Sequence, residues 1–177
     1  MRIAERLGVA HLASGDLLRA EVAEGTPLGR EAQALMAAGE LVPDQMVIDM
    51  MLRKIVQADS GWILDGFPRT LPQAEAAHAW ANRRGLTLDA VLSLRVPEDE
   101  LLMRLLSRAH SESRADDDEA TIRHRLDVFH KQTEPLEKYY EGRGVLVTVD
   151  AVGPVDEVTE RITKALEAHA GREASAG

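Results

Sequence analysis

Several stretches combine an acid or hydroxyl, a glycine and an arginine in a way that suits phosphate chemistry. Gly61-Trp-Ile-Leu-Asp65-Gly66-Phe67-Pro68-Arg69 runs an apolar segment into an acid, a glycine turn and an arginine. In parallel α/β sheets, ligands bind at the carboxyl ends of strands. Asp65 placed there could hold a hydrated Mg2+, and Arg69 could fork onto a phosphate. The same residues also read as an ordinary Asp-Gly turn with a local ion pair. Ser14-Gly15-Asp16-Leu17-Leu18-Arg19 likewise follows a strand and opens a helix. Helix capping and the helix dipole account for Ser14 and Asp16, but not for Arg19. Arg104 and Arg108 are four apart on one helix face, where like charges repel unless an anion sits between them. With Arg114 and Arg125 they form either a polyphosphate clamp or a surface neutralised by Asp116 and Asp117.

The composition allows such a role. The chain has 177 residues, a formal charge of −9, no cysteine and six histidines. Its length suits one domain, 1–177, and its apolar content suits a packed core. The acidic balance argues against nucleic acid as a partner, because sequence-independent binding needs a basic face. Without cysteine there is no disulfide framework and no cysteine-ligated zinc. No apolar run approaches the roughly 18–20 residues of a membrane span, so no membrane partner is expected and the predicted location is cytoplasmic. Of the 21 basic residues only Lys54, Lys131, Lys138 and Lys164 are lysine. The arginine excess reads either as GC-rich coding or as a preference for bidentate anion binding.

The elements that must position these residues alternate. Val9-Ala13, Trp62-Leu64, Ala90-Leu94 and Val145-Val149 read as strands, nearly uninterrupted apolar runs expected to be buried on both faces of a parallel sheet. Between them, Ile48, Met51, Leu52 and Ile55 follow one helix face, with Met50-Met51 as core filling. Leu101, Leu102, Leu105 and Leu106 make a second helix side. Ile122, Leu126, Phe129, Thr133, Leu136 and Tyr140 form one long seam, and Val155, Val158, Ile162 and Leu166 follow a Gly153-Pro154 helix start. Residues 13–42 read as a small helical lobe, residues 107–117 as a short surface flap, and residues 171–177 as a disordered tail. Arg2-Ile-Ala-Glu-Arg-Leu-Gly8 reads as the end of an amphipathic helix, with Gly8 just past its terminus. The histidines have no metal-ligand spacing, and Asp116–Glu119 reads as a helix-start acid cluster.

Taken together these segments resemble the adenylate kinases, within the nucleoside-monophosphate kinases. The residues that carry the resemblance are A-S-G-D-L-L-R (13–19), G-E-L-V-P-D (39–44), D-G-F-P-R-T-L-P-Q (65–73), R-x-x-x-R (104–108), R-A-D-D (114–117), I-R-H-R-L (122–126), Q-T-E-P-L-E-K-Y-Y (132–140) and V-D-A-V-G-P-V (149–155). The resemblance implies a doubly wound parallel sheet of the P-loop type, with a helical monophosphate-binding lobe and a short lid. It implies reversible phosphoryl transfer from ATP to AMP giving two ADP, with Mg2+ and without zinc, in a monomer. Ser14, Arg19, Glu40, Leu41, Val42, Gly66, Phe67, Pro68, Arg69, Gln73, Arg114 and Arg125 would make the AMP site. Gln73 would meet the adenine edge; kinases for UMP or CMP carry asparagine at that place. Arg108 and the backbone near Gly153 would face ATP. Arg69, Arg104, Arg114 and Arg125 would surround the transferring phosphoryl group, whose chemistry needs charge neutralisation and positioning.

One expected part is missing from the sequence. The family's G-x-x-x-x-G-K-[ST] loop cradles phosphates with its backbone amides, and no Gly-Lys dipeptide occurs in these 177 residues. The family places that loop after a central first strand, opening the helix whose tail is Arg2-Leu7. The expectation is therefore a chain lacking that strand, with little or no activity as written. Three readings remain open: a start taken too late, a non-catalytic nucleotide-binding relative, or an inactive remnant.

Overall fold

The computed structural model describes residues 2–112 and 119–176. The chain opens with helix α1 (Arg2–Leu7), which ends at Gly8 with φ of 68°. Strand β1 (Ala10–Ala13) leads directly into α2 (Ser14–Ala23), then α3 (Pro27–Ala37) and α4 (Asp44–Val56). Thr26 caps α3, its hydroxyl accepting from the Gly29 amide at 3.0 Å, with Pro27 as the first helical residue. Strand β2 (Trp62–Asp65), α5 (Leu71–Asn82) and β3 (Val91–Arg95) follow, then α6 (Glu98–Glu112), α7 (Glu119–Val128), a π-helical turn (Phe129–Thr133), α8 (Leu136–Glu141), β4 (Leu146–Asp150) and α9 (Val155–Ala176).

The strand pairing differs from the single sheet expected. Among the described residues, β1 pairs with β2 and β3 with β4, both parallel, as two separate two-stranded sheets. Helix α5 contributes to the cores beside both sheets. On one face α5 spans both: Ala76 and Ala77 pack with Leu12, Leu64 and the α4 residues Val47, Ile48 and Met51, while Ala74 packs with Leu136, Tyr140, Val91 and Leu146. On the opposite face of the second sheet, Ile3 of α1 packs against the cluster of Leu92, Val147, Val149 and Ile162, and the chain continues from Gly8 into β1. The alternation of Leu146 and Val147 between these clusters is the two-residue period of a strand.

Among the described residues each strand has a hydrogen-bonded neighbour on one side only, and apart from Val147 and Val149 of β4 the strands are less buried than expected. Those of the first sheet are half-buried, and Leu94 of β3 is 51% exposed. Three elements run differently from their sequence patterns. Helix α6 continues to Glu112, through the first part of the segment read as a flap, because its run of helix-compatible residues offers no stop signal; residues 113–118 lie outside the described residues. The tail does not leave the helix at Gly171, since α9 continues to Ala176 through an alanine-rich stretch. The seam from Ile122 to Tyr140 is divided into α7, the π-helical turn and α8, with Pro135 unable to continue the preceding helix. Met50 and Met51 lie in the core as expected, at 2% and 0% exposure.

Candidate functional site

The carboxyl ends of β1 and β2 meet in register, with Ala13 opposite Asp65. Each strand then turns sharply, β1 into α2 and β2 into the Gly66–Thr70 segment. Gly66 has φ of 67°, a conformation that disfavours any side chain, and the Phe67–Pro68 peptide is cis. A Cβ at Gly66 would lie 2.7 Å from Arg69 Nη2 and 2.9 Å from Ser14 Oγ. Only glycine allows this approach. Ser14, 3% exposed, donates its hydroxyl to the Gly66 carbonyl at 2.7 Å. Arg69 Nε donates to the same oxygen at 2.9 Å.

Three guanidinium groups gather around this turn. Burial pushes the Arg69 guanidinium below its ordinary value, the charge of Arg125 pushes it further, Asp65 pulls against this, and Arg19 adds to the depression. A partly buried arginine thus sits in the field of two others, an arrangement that an anion would relieve. Arg19 is turned toward Asp16, at 2.5 Å, one helical turn away. Arg125 is delivered by α7, and a Cβ at Gly39 would lie 2.8 Å from its Cγ, so the lobe loop and α7 are in close contact. The same junction carries Glu40, whose Oε1 lies 2.6 Å from Nε2 of His124 on α7.

Other predicted positions are placed differently. Val42 and Phe67 are core residues, each 5% exposed in the cluster around α4, so their side chains face the protein. Leu41 and Pro68 are half-buried beside them. Gln73 is 2% exposed with both ends of its amide in use: Oε1 accepts from the Arg69 amide at 2.8 Å, and Nε2 donates to Asp44 Oδ1 at 2.8 Å. Asp65 is mostly exposed, with Oδ2 at 3.1 Å from His11 Nε2. Arg104 stands on the other sheet's side, its Nη1 donating to the Ala151 carbonyl at 3.1 Å and its Nη2 paired with Glu100. It shares with Gly153, Leu94 and Ile3 an open cavity of about 360 Å3. Arg108 lies on α6, and Arg114 lies outside the described residues.

Sequence reasoning assigned no role to four residues that reach this site. His11 contacts Asp65, His124 contacts Glu40, Asp44 binds Gln73 and Thr70, and Thr133 Oγ1 donates to the Arg69 carbonyl at 2.9 Å. Asp44 and Thr133 lie inside recognisable motifs, but nothing in their spacing tells which atom they bind. Among the described residues no group of three or more His, Asp or Glu could hold a metal ion.

Parallel strands ending in a glycine turn and a cluster of arginines define an α/β protein whose strand ends are the place where such folds receive ligands, here lined by cationic groups. The sequence model of the family described as Adenylate kinase matches residues 1–145, and the chain belongs to that family. It is 46% identical over 170 residues to the adenylate kinase of Thermobifida fusca, covering 95% of this chain and 90% of that protein. It is 48% identical to that of Kocuria rhizophila, covering 94% and 89%, and 47% identical to that of Thermus thermophilus, covering 93% and 87%.

Proposed function

We propose that this chain binds adenosine monophosphate at the β1–β2 strand ends and serves reversible phosphoryl transfer, the γ-phosphoryl of ATP passing to an α-phosphate oxygen of AMP to give two ADP. The observation that carries this reading is the convergence of Arg19 and Arg125 on the partly buried Arg69. Arg19 and Arg69 hold the AMP phosphate; Arg69, Arg104, Arg114 and Arg125 neutralise charge on the transferring group; Arg108 and the Gly153 backbone serve ATP. Such neutralisation by preorganised donors is the main protein contribution to phosphoryl transfer.

Asp65 fits a supporting role toward Mg2+. It is a hard oxygen donor at a strand end with one carboxylate oxygen engaged by His11, and Mg2+ keeps several waters while taking one or two carboxylates and the nucleotide phosphates. The bound cation would offset phosphate charge, and Asp65 would hold one of its waters. We further read the protein as cytoplasmic and monomeric, with residues 13–42 and 107–117 as the segments that close on substrate.

Full turnover, on this reading, needs a central strand and a G-x-x-x-x-G-K-[ST] loop between β2 and β3. The pairing of the described strands as two separate sheets, joined by the packing of α5, supports it. The same observation favours a second reading, a nucleotide-binding protein without turnover. Calorimetry and an ADP-forming assay separate them. The chain as given is expected to bind AMP and form little ADP. Fusing a strand and phosphate loop ahead of Arg2 is expected to raise the rate by about a hundredfold or more. No binding of AMP overturns the proposal; binding with no gain from the fusion favours the second reading.

A further inference from the structure

The two functional groups of the Gln73 amide face partners that cannot exchange roles. The Arg69 main-chain N–H is a donor only, and it meets Oε1 at 2.8 Å. The Asp44 Oδ1 atom is an acceptor for two donors at once, Nε2 of Gln73 at 2.8 Å and Oγ1 of Thr70 at 2.9 Å. A flipped amide would set N–H against N–H at Arg69 and oxygen against oxygen at Asp44. Both mismatches would fall on the Gln73 side chain, which is 2% exposed, against half-buried partners, and polar groups left unpaired away from water are costly. Thr70 is itself held, because it caps α5 and its hydroxyl accepts from the main-chain N–H of Gln73 at 3.3 Å. Asp44, the first residue of α4, thereby ties the starts of two helices to one orientation of one side chain.

A primary amide has four hydrogen-bonding capacities. Two are spent here, which leaves Gln73 one N–H and one oxygen lone pair in a fixed order. That order distinguishes purines. A 6-amino purine offers a donor at N6 and an acceptor at N1, complementary to an amide that accepts and donates in turn. A 6-oxo purine offers an acceptor at O6 and a donor at N1, and matches only the flipped amide.

We propose that Asp44 is a positioning residue for base recognition, holding the Gln73 amide in the orientation that accepts 6-amino and rejects 6-oxo purine monophosphates. The inference rests on the reading that Gln73 meets the base of AMP. It assigns the discrimination to the Asp44 carboxylate, which need not touch the nucleotide.

The test compares AMP with inosine monophosphate, which differs in the 6-position and N1 hydrogen, by calorimetry on the wild-type chain, Asp44→Asn and Asp44→Ala. The wild-type chain is expected to prefer AMP by about tenfold or more. Asp44→Ala is expected to lose most of that preference, and Asp44→Asn, which keeps an acceptor oxygen, to lose less. A purely structural role would weaken both nucleotides equally and leave the ratio unchanged, which overturns the proposal. The Gln73 side-chain NH2 signal supplies a readout without nucleotide: it should exchange slowly with solvent in the wild-type chain and faster in Asp44→Asn. Fast exchange in the wild-type chain, or no change in Asp44→Asn, overturns the lock even if Asp44→Ala does not fold. If the wild-type chain binds neither nucleotide while the amide is protected, the AMP reading fails, and base discrimination falls with it.

Discussion

The Ser14 hydroxyl and the Gly66 carbonyl are hydrogen-bonded at 2.7 Å across 52 residues of sequence, tying the end of β1 to the turn after β2. Arg69 donates to the same carbonyl oxygen, so one backbone atom orients both a buried hydroxyl and a guanidinium of the candidate phosphate site.

Gly66→Ala is therefore expected to harm both stability and binding. Its φ of 67° penalises a side chain, and the new methyl would meet Arg69 Nη2 at 2.7 Å. A loss of about 2 kcal/mol in urea unfolding is expected from the left-handed backbone and the displaced arginine. AMP affinity in calorimetry should fall by about tenfold or more, the scale of one charged hydrogen bond.

Arg69→Met should separate function from stability. It removes one guanidinium from the field of Arg125 and Arg19 and replaces a partly buried charge with an apolar stem of similar length. Unfolding free energy in the absence of anions should be no lower than wild type, although the bond to Gly66 is lost. AMP binding should fall by about a hundredfold. Adding AMP should raise the melting temperature of the wild-type chain, as for any ligand that binds only the folded state, and leave the variant unmoved.

The lobe has its own sensitive point at Gly29. A Cβ there would lie 2.0 Å from the Glu21 carbonyl oxygen and 2.5 Å from the Val22 nitrogen. These are backbone atoms and cannot rotate away, so α3 would have to move off α2. Gly29→Ala should cost about 3 kcal/mol or prevent folding of the lobe, read by chemical denaturation and by loss of amide protection in residues 14–37.

Two surface groups set opposite pH trends. The hydrogen bond from Arg6 and then its charge hold Glu160 below its ordinary 4.5, clamping α1 to α9. A depressed folded value contributes stability that is present above pH 4.5 and lost as pH falls through that lowered value. The hydrogen bond to Glu134 raises His130 above its ordinary 6.5 against the opposing effect of desolvation, and the charges of Glu134, Glu98 and Asp127 add to the rise. Its contribution is present below pH 6.5 and lost as pH rises through the raised value. Glu160→Gln should flatten the acid limb of a stability-versus-pH curve, and His130→Gln the neutral limb. Both effects should shrink in high salt because the groups are exposed.

Much of this molecule was legible in its residues. Apolar periodicity located the four strands to within one residue at each end, and it located the helical faces. The glycine, acid and arginine spacing marked Ser14, Arg19, Asp65 and Arg69 as a possible phosphate site, and the motif order pointed to the family that the comparisons support. Such features are local, because a helix face or a strand end is defined within a few residues.

Only the tertiary structure decided how these pieces meet. Composition cannot say that β2 and β3 do not pair with each other among the described residues, because an apolar strand reads alike with one neighbour or two. Periodicity marks α5 as a helix, yet its packing on both sheets depends on Ala74, Ala76 and Ala77 facing different clusters. The amide of Gln73 looks free in sequence and is engaged at both ends in the fold, by Arg69 four residues away and by Asp44 at a separation of 29. Hydrogen bonding is directional and short-ranged, so residue type supplies the donors and acceptors, while the packing of distant helices determines which of them pair.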